Sequence, residues 1–221
     1  MKLSEKTIAI LKNFSTINQS VALKTGSSIK TINSQKSVMA FGTTDDVFPS
    51  EACIYDLSRF LQTYGLYSSP EIEFQAKNFL ITEGNKKTKY TYADAAMILQ
   101  PPEKQITFPS VDVELTLKWD DIQSVMKSVN VLRLPEIAFI GENGKTYLKA
   151  INSEDKSADV FAIELGKTAD TFTLIIKPEN INLIQGDYKV ELCSAGISKF
   201  EGPFITYYIA IEAKNKSYTK G

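Results

Sequence analysis

The sequence predicts an α+β fold built twice: two similar domains, each with two helices packed on antiparallel sheet. Three observations predict it. A proline-bearing break at residues 100–109, QPPEKQITFP, divides the 221-residue chain into halves of nearly equal length, each of ordinary small-domain size. Apolar residues recur at helical spacing in two segments of each half. Short alternating runs bounded by turn residues surround those segments, as in antiparallel meanders. The domains are accordingly placed at 1–108 and 109–221.

The first helix is predicted over 4–14, where Thr7, Ile10, Leu11 and Phe14 fall on one side with Leu3. The runs VALKTG, SIKTIN and SVMAFG follow as strands. A second helix is expected in IYDLSRFLQTYGL, where Leu57, Phe60, Leu61 and Tyr64 repeat the stripe. IEFQA, FLITEG and KYTYADAAMIL complete the first half as strands. The second half opens with a helix at about 119–130, striped by Ile122, Val125, Met126 and Val129, with Asp120 or Asp121 as cap or first-turn acid. IAFIGENGKTYLKAIN reads as a hairpin turning at Asn143-Gly144, and DVFAIEL and TFTLII as further strands. KPENINLI is expected to be a fourth helix, with Pro178 in its first turn and Ile181 and Ile184 facing inward. YKVELCSAG and ITYYIAIEA close the domain, and the polar tail KNKSYTKG is expected to fray. Equivalent helices are offset by roughly 115–120 residues.

Composition narrows the function. With 43% hydrophobic residues and a net charge of −1, the whole surface cannot attract nucleic acid, so any such face must be local. The amphipathic N-terminus does not read as a signal peptide. No run approaches the roughly 18 apolar residues of a membrane span, so no membrane partner is expected. Cys53 and Cys193 lie in apolar, strand-like segments and read as buried thiols of a reducing compartment rather than as a disulfide framework. Histidine is absent, which removes Ser-His-Asp, Cys-His and HExxH chemistry and leaves only lysine or carboxylate catalysis as an enzymatic alternative.

No motif supplies that chemistry. GENGKT resembles the end of a P-loop, but the required early glycine is Phe139 and strand rather than helix follows. TGSSIKT fails in the same way. The acidic pairs Asp45-Asp46, Asp120-Asp121 and Glu154-Asp155 read as a helix start or turn residues. Trp119 reads as a packing staple. No cofactor or metal site is expected.

The faces opposite the apolar stripes remain. They carry Lys2, Lys6, Lys12 and Asn13 on the first helix, Arg59 and Gln62 on the second, Lys118, Gln123, Lys127 and Asn130 on the third, and Lys177, Asn180 and Asn182 on the fourth. These faces are polar or cationic and poor in acids, although Glu5 and Glu179 interrupt them. Four such faces in one slightly acidic chain point to helices turned toward phosphate. The cations are spread out and have no interleaved aromatic side chains, which disfavours a single-strand stacking groove and a base-reading helix.

At this point the chain resembles a known family, the sliding clamps, most closely those of T-even-type bacteriophages. The likeness rests on MKLSEKTIAILKNFSTIN, on CIYDLSRFL at 53–61, on FPSVDVELTLKWDDIQSVMK, and on GDYKVEL with SKFEG in 186–202. It implies a DNA-clamp fold closing as a homotrimeric ring around duplex DNA, helices inward. The ring would tether a DNA polymerase for processivity without chemistry of its own, and an ATP-dependent clamp loader would open it. Lys6, Lys12, Arg59, Lys118, Lys127 and Lys177 are the expected DNA-facing residues, with Lys199 on a rim loop. The third helix departs from the family in having Asn130 where a further basic residue is usual. By location, a partner's hydrophobic tail would dock near Leu99, Pro101, Phe108, Pro109, Ile205 and Tyr207. The alternative is a ring-forming structural or scaffold viral protein that does not slide on DNA.

Overall fold

The computed structural model describes residues 1–103 and 106–221. Lys104 and Gln105, inside the expected linker, lie outside the described residues. The chain forms two compact units. The first holds the described residues up to Glu103 with 182–184 and 204–206. The second holds 106–181, 185–203 and 207–221.

The first unit starts with α1 (Glu5–Ile17). Ser4 caps it: its side chain accepts from the Thr7 N–H, satisfying one of the open donors of the first turn. Next come β1 (Val21–Leu23), β2 (Gly26–Ile32), β3 (Val38–Phe48) and β4 (Ala52–Ile54). Here β2 pairs with β3, and β1 with β4, all antiparallel. Helix α1 packs on β2 and β3, burying Thr7, Ile10, Leu11 and Phe14 as its spacing predicts. Gly42 makes that approach possible, since a Cβ there would stand 2.8 Å from Ile10 Cγ2.

Helix α2 (Leu57–Tyr64) is capped by Asp56, which accepts from the Arg59 N–H, and lies against α1. A ribbon of β5 (Glu71–Phe74), β6 (Asn78–Glu83) and β7 (Lys86–Thr91) follows. Phe79 centres its core, with Phe74, Tyr92 and Phe60 rings at 4.8, 4.7 and 5.1 Å. KYTYADAAMIL is only partly strand. After β7, a 3-10 turn forms at Ala95–Met97, where Asp94 accepts from the Ala96 N–H, a local bond that competes with the ladder.

The second unit runs β8 (Val113–Leu117), α3 (Trp119–Leu132), β9 (Glu136–Glu142), β10 (Lys145–Ile151), β11 (Phe161–Lys167) and β12 (Thr171–Ile176). After them come β13 (Tyr188–Cys193), β14 (Ile197–Glu201), β15 (Ile205–Ala210) and β16 (Ser217–Thr219). One sheet has the order β11-β10-β9-β12-β16, and β15-β14-β13-β8 lie side by side in another. Asn143 and Gly144 both adopt positive φ (52° and 77°) in the β9–β10 turn, as a two-residue hairpin requires. Helix α3 packs on β9, β10 and β11, burying Ile122, Val125 and Val129. Cys193 is buried, Cys53 is partly exposed, and both are free thiols.

Two expectations fail. KPENINLI forms no α-helix, only a 3-10 turn at Pro178–Asn180. The asparagines favour turns, and the Asn182 carbonyl accepts from Asn13 Nδ2 at 2.8 Å instead of from a helical N–H. The tail does not fray entirely. Its Ser217–Thr219 pair with β12 as β16, and Tyr218 donates to Asp170 at 3.1 Å. Ladder pairing, the Asp170 bond and the Phe172 ring, 6.4 Å from that of Tyr218, hold this strand.

Candidate nucleic-acid interface

Superimposing the burial stripes of α1 and α3 sets the two faces in register. Thr7, Ile10 and Phe14 correspond to Ile122, Val125 and Val129, each pair 115 residues apart. The same offset matches Lys12 with Lys127, and Glu5 with Asp120. All four of these charged residues are exposed. Each outward helix face thus carries an acid in its first turn and a lysine seven residues later, about 10.5 Å further along the axis.

The expected cations divide into two groups. Lys12, Arg59, Lys127 and Lys177 are exposed and make no ion pair among the described residues. They sit one each on α1, α2, α3 and the cap of the 3-10 turn. Because the fourth helix is a single turn, Lys177 stands at its start rather than on a helical face.

The others are engaged. Lys6 lies on the flank of α1, 27% exposed, 2.8 Å from Asp45 and over the Phe204 ring. Lys118 precedes α3 and is 2.7 Å from Asp187, whose other oxygen accepts from the Trp119 N–H at 2.9 Å. Asp187 therefore supplies the cap that α3 lacks locally, since Lys118 occupies the N-cap position without a side-chain bond. Asp120 and Asp121 are first-turn acids, not caps. The hydrogen bond and charge of Asp187 raise the Lys118 pKa, and the bonds from Lys118 and Trp119 lower that of Asp187. Asp46 serves α1 similarly, accepting from the Ser4 N–H at 2.8 Å.

Lys199 is not on a loop. It lies on β14, 20% exposed, bridging Glu201 (2.6 Å) and Glu191 (3.5 Å). Cross-strand pairing explains this, because Glu191 lies opposite Lys199 on β13. Lys189 joins Glu114 and Glu191 on the same sheet, and Lys145 joins Glu164. Lysines on these strands are thus largely neutralised, whereas the mid-helix cations are not.

In the first unit, the expected partner-tail residues Leu99 and Pro101 line different depressions. Leu99 lines a 490 Å³ depression with Ile17, Tyr55 and Met97. Pro101 lines a different one, of 370 Å³, with Ala22, Lys24, Lys30 and Glu51. In the second unit, Phe108 sits 6.5 Å from the Tyr208 ring, and Pro109 is exposed. Ile205 and Tyr207 are buried; strand alternation turns them into the core, so they cannot line an open pocket. Sequence reasoning missed Met97 and Tyr55, both exposed apolar residues, as well as Asp45, Asp46 and Asp187. An aspartate's distant helix partner leaves no local signal.

Comparison with known proteins completes the description. Residues 2–99 match the family model "DNA polymerase processivity factor", and residues 114–213 match "gp45 sliding clamp, C terminal". The chain is 37% identical to the sliding clamp of Vibrio phage KVP40, covering 96% of this chain and all of that protein. It is 31% identical to the sliding clamp of Enterobacteria phage T4, covering 96% and 97%. Among solved structures it resembles the PCNA2-PCNA3 complex from Sulfolobus tokodaii (TM-score 0.71, 13% identity, 97% of this chain and 100% of that one). It also resembles A. fulgidus PCNA bound to the C-terminal region of FEN-1 (TM-score 0.70, 10% identity, 94% and 95%). At such identities the structural likeness speaks for the fold.

Proposed function

Because the chain belongs to the phage sliding-clamp family of DNA polymerase processivity factors, we propose that three copies close around duplex DNA and hold the replicative polymerase on its template. The observation that carries this reading is the repeated helix face: Lys12 and Lys127 occupy the same position on α1 and α3, exposed and without ion pairs among the described residues. A lining of isolated lysines suits sliding. Duplex DNA offers one charge per about 1.7 Å of axis, so a lysine leaving one phosphate finds another nearby, and no base is read. In this reading Arg59 and Lys177 contribute further contacts. Lys6 and Lys118 contribute less because their charges are already partnered, and Lys199 belongs to the sheet.

Ring closure needs a head-to-tail contact between copies. Among the strands with a single hydrogen-bonded neighbour are β7 in the first unit and β11 in the second. An exposed edge is a template for pairing with another chain. The domain division, at 1–108 and 109–221, would give six such domains per ring. The hydrophobic tail of the polymerase is assigned to the depression holding Leu99, Met97 and Tyr55, and an ATP-dependent loader opens the ring. The protein is an accessory factor that works without catalysis, in the cytoplasm of the infected host.

Two measurements test the reading. The native mass should approach three times the 24.6 kDa chain. Protein loaded on nicked circular DNA should remain bound until the circle is linearised, then leave by the ends. A stable monomer, or retention on linear DNA equal to that on circles, refutes the ring.

A further inference from the structure

We propose that the carboxylates at the starts of α1 and α3 limit how tightly the protein holds duplex DNA. This rests on the reading that the outward helix faces meet the phosphates.

Helix N-termini are natural anion sites, because their free N–H groups and dipole attract phosphate. In this protein those positions are occupied by the chain's own side chains. At α1, Ser4 accepts from the Thr7 N–H and Asp46 from the Ser4 N–H. At α3, Asp187 accepts from the Trp119 N–H. The caps are thus already served. Yet each helix adds a further exposed acid on its outward face, Glu5 and Asp120, at matching positions 115 residues apart. Neither makes an ion pair among the described residues. Asp45 and Asp187 also hold Lys6 and Lys118, the basic residues nearest the helix starts, at 2.8 and 2.7 Å.

The two repeats therefore reach the same arrangement with different residues. Acids cover the helix start, the nearby lysine is partnered, and a free lysine stands two turns on. A phosphate passing over either helix is attracted at Lys12 or Lys127 and repelled at Glu5 or Asp120. The repulsion offsets part of the attraction summed over the face, so the protein holds the DNA less tightly than the lysines alone would. A face selected only for affinity would leave the helix start open to phosphate.

The test measures the full-length protein on a short blunt-ended duplex by fluorescence anisotropy across a salt series. Thermal melting of each variant verifies folding. Glu5→Gln with Asp120→Asn should bind about fivefold more tightly at low salt, the size expected of like charges about one Debye length from phosphate, summed over three chains. The gain should shrink as salt rises. Asp187→Asn keeps an oxygen for the Trp119 N–H while freeing Lys118, and should steepen the salt slope by up to about 0.9 per lysine that reaches a phosphate. Glu5→Asp should change nothing. Lys12→Gln with Lys127→Gln separates the two levels of the inference. If the lysine variant weakens binding while the acid variants leave it unchanged, the proposal is overturned and the helix-face reading stands. If neither set alters binding, both fall.

Discussion

Removing the charge of Lys12 and Lys127 together is the most direct probe of the DNA-facing surface. Both side chains are exposed and neither forms an ion pair among the described residues, so changing them to glutamine disturbs no partner. Lysine and glutamine have similar helix propensity, and surface substitutions of this kind usually cost within about 0.5 kcal/mol. The fold should survive. In a three-copy ring the change removes six charges. If each lysine neutralises one phosphate, the slope of log affinity against log salt should fall by about 5, at about 0.9 per contact. Partial engagement, expected for a protein that slides, gives a proportionally smaller fall. The assay is equilibrium binding to a short duplex over a salt series, with Lys36→Gln/Lys156→Gln as control. Those two lysines are also exposed and without an ion pair among the described residues, but lie off the helices. An unchanged slope in the helix variant, or an equal fall in the control, would refute the assignment.

Two further predictions concern the fold that presents this surface. Gly42→Ala should destabilise the first unit by about 1–2 kcal/mol. Its Cβ would stand 2.8 Å from Ile10 Cγ2, an overpacking cost of about 1–3 kcal/mol offset by about 0.4–1 kcal/mol of unfolded-state entropy; urea unfolding at least as stable as the parent would show that α1 yields freely. Burial pushes the Tyr188 hydroxyl from 10.0 up to about 12, against a bond to Tyr207 that lowers it. The unfolded chain ionises first, so stability should be intact below pH 10 and decline between pH 10 and about 12; melting of Tyr188→Phe over that range should fall less steeply than the parent.

Much of the fold was legible because its signals are periodic and local. The stripe Thr7, Ile10, Leu11, Phe14 has one helical reading, and all four are buried. Asn143-Gly144 between alternating runs has one turn reading, and its positive φ angles match. The failures arose where tertiary partners outweighed local pattern. KPENINLI carries isoleucines at helical spacing but only eight residues, too few to be helical without packing support, and a hydrogen bond from Asn13 fixes its backbone otherwise. The tail had no apolar period, so its pairing with β12 could not be read; Tyr218, bonded to Asp170 across 48 positions, anchors it.

The same distinction applies to the surface. Composition could nominate every lysine on a helix face, but not say which charges remain available. Lys6 and Lys12 both fall outside the apolar stripe, and the pattern does not say which is partnered; one faces Asp45, 39 residues away, and the other faces solvent. Lys118 and Lys127 differ in the same way, through Asp187 at a separation of 69. Exposed ion pairs are weak, commonly 0–1 kcal/mol, so these aspartates do not remove their lysines from reach of a polyanion. They do leave a negative charge beside each one. A phosphate that displaces Asp187 from Lys118 must then approach that carboxylate, whereas one meeting Lys127 meets no such neighbour. The alternation of available and guarded cations is a property of the folded pair of repeats, and it makes Glu5 a counterpart of Asp120 rather than an accident in a basic helix.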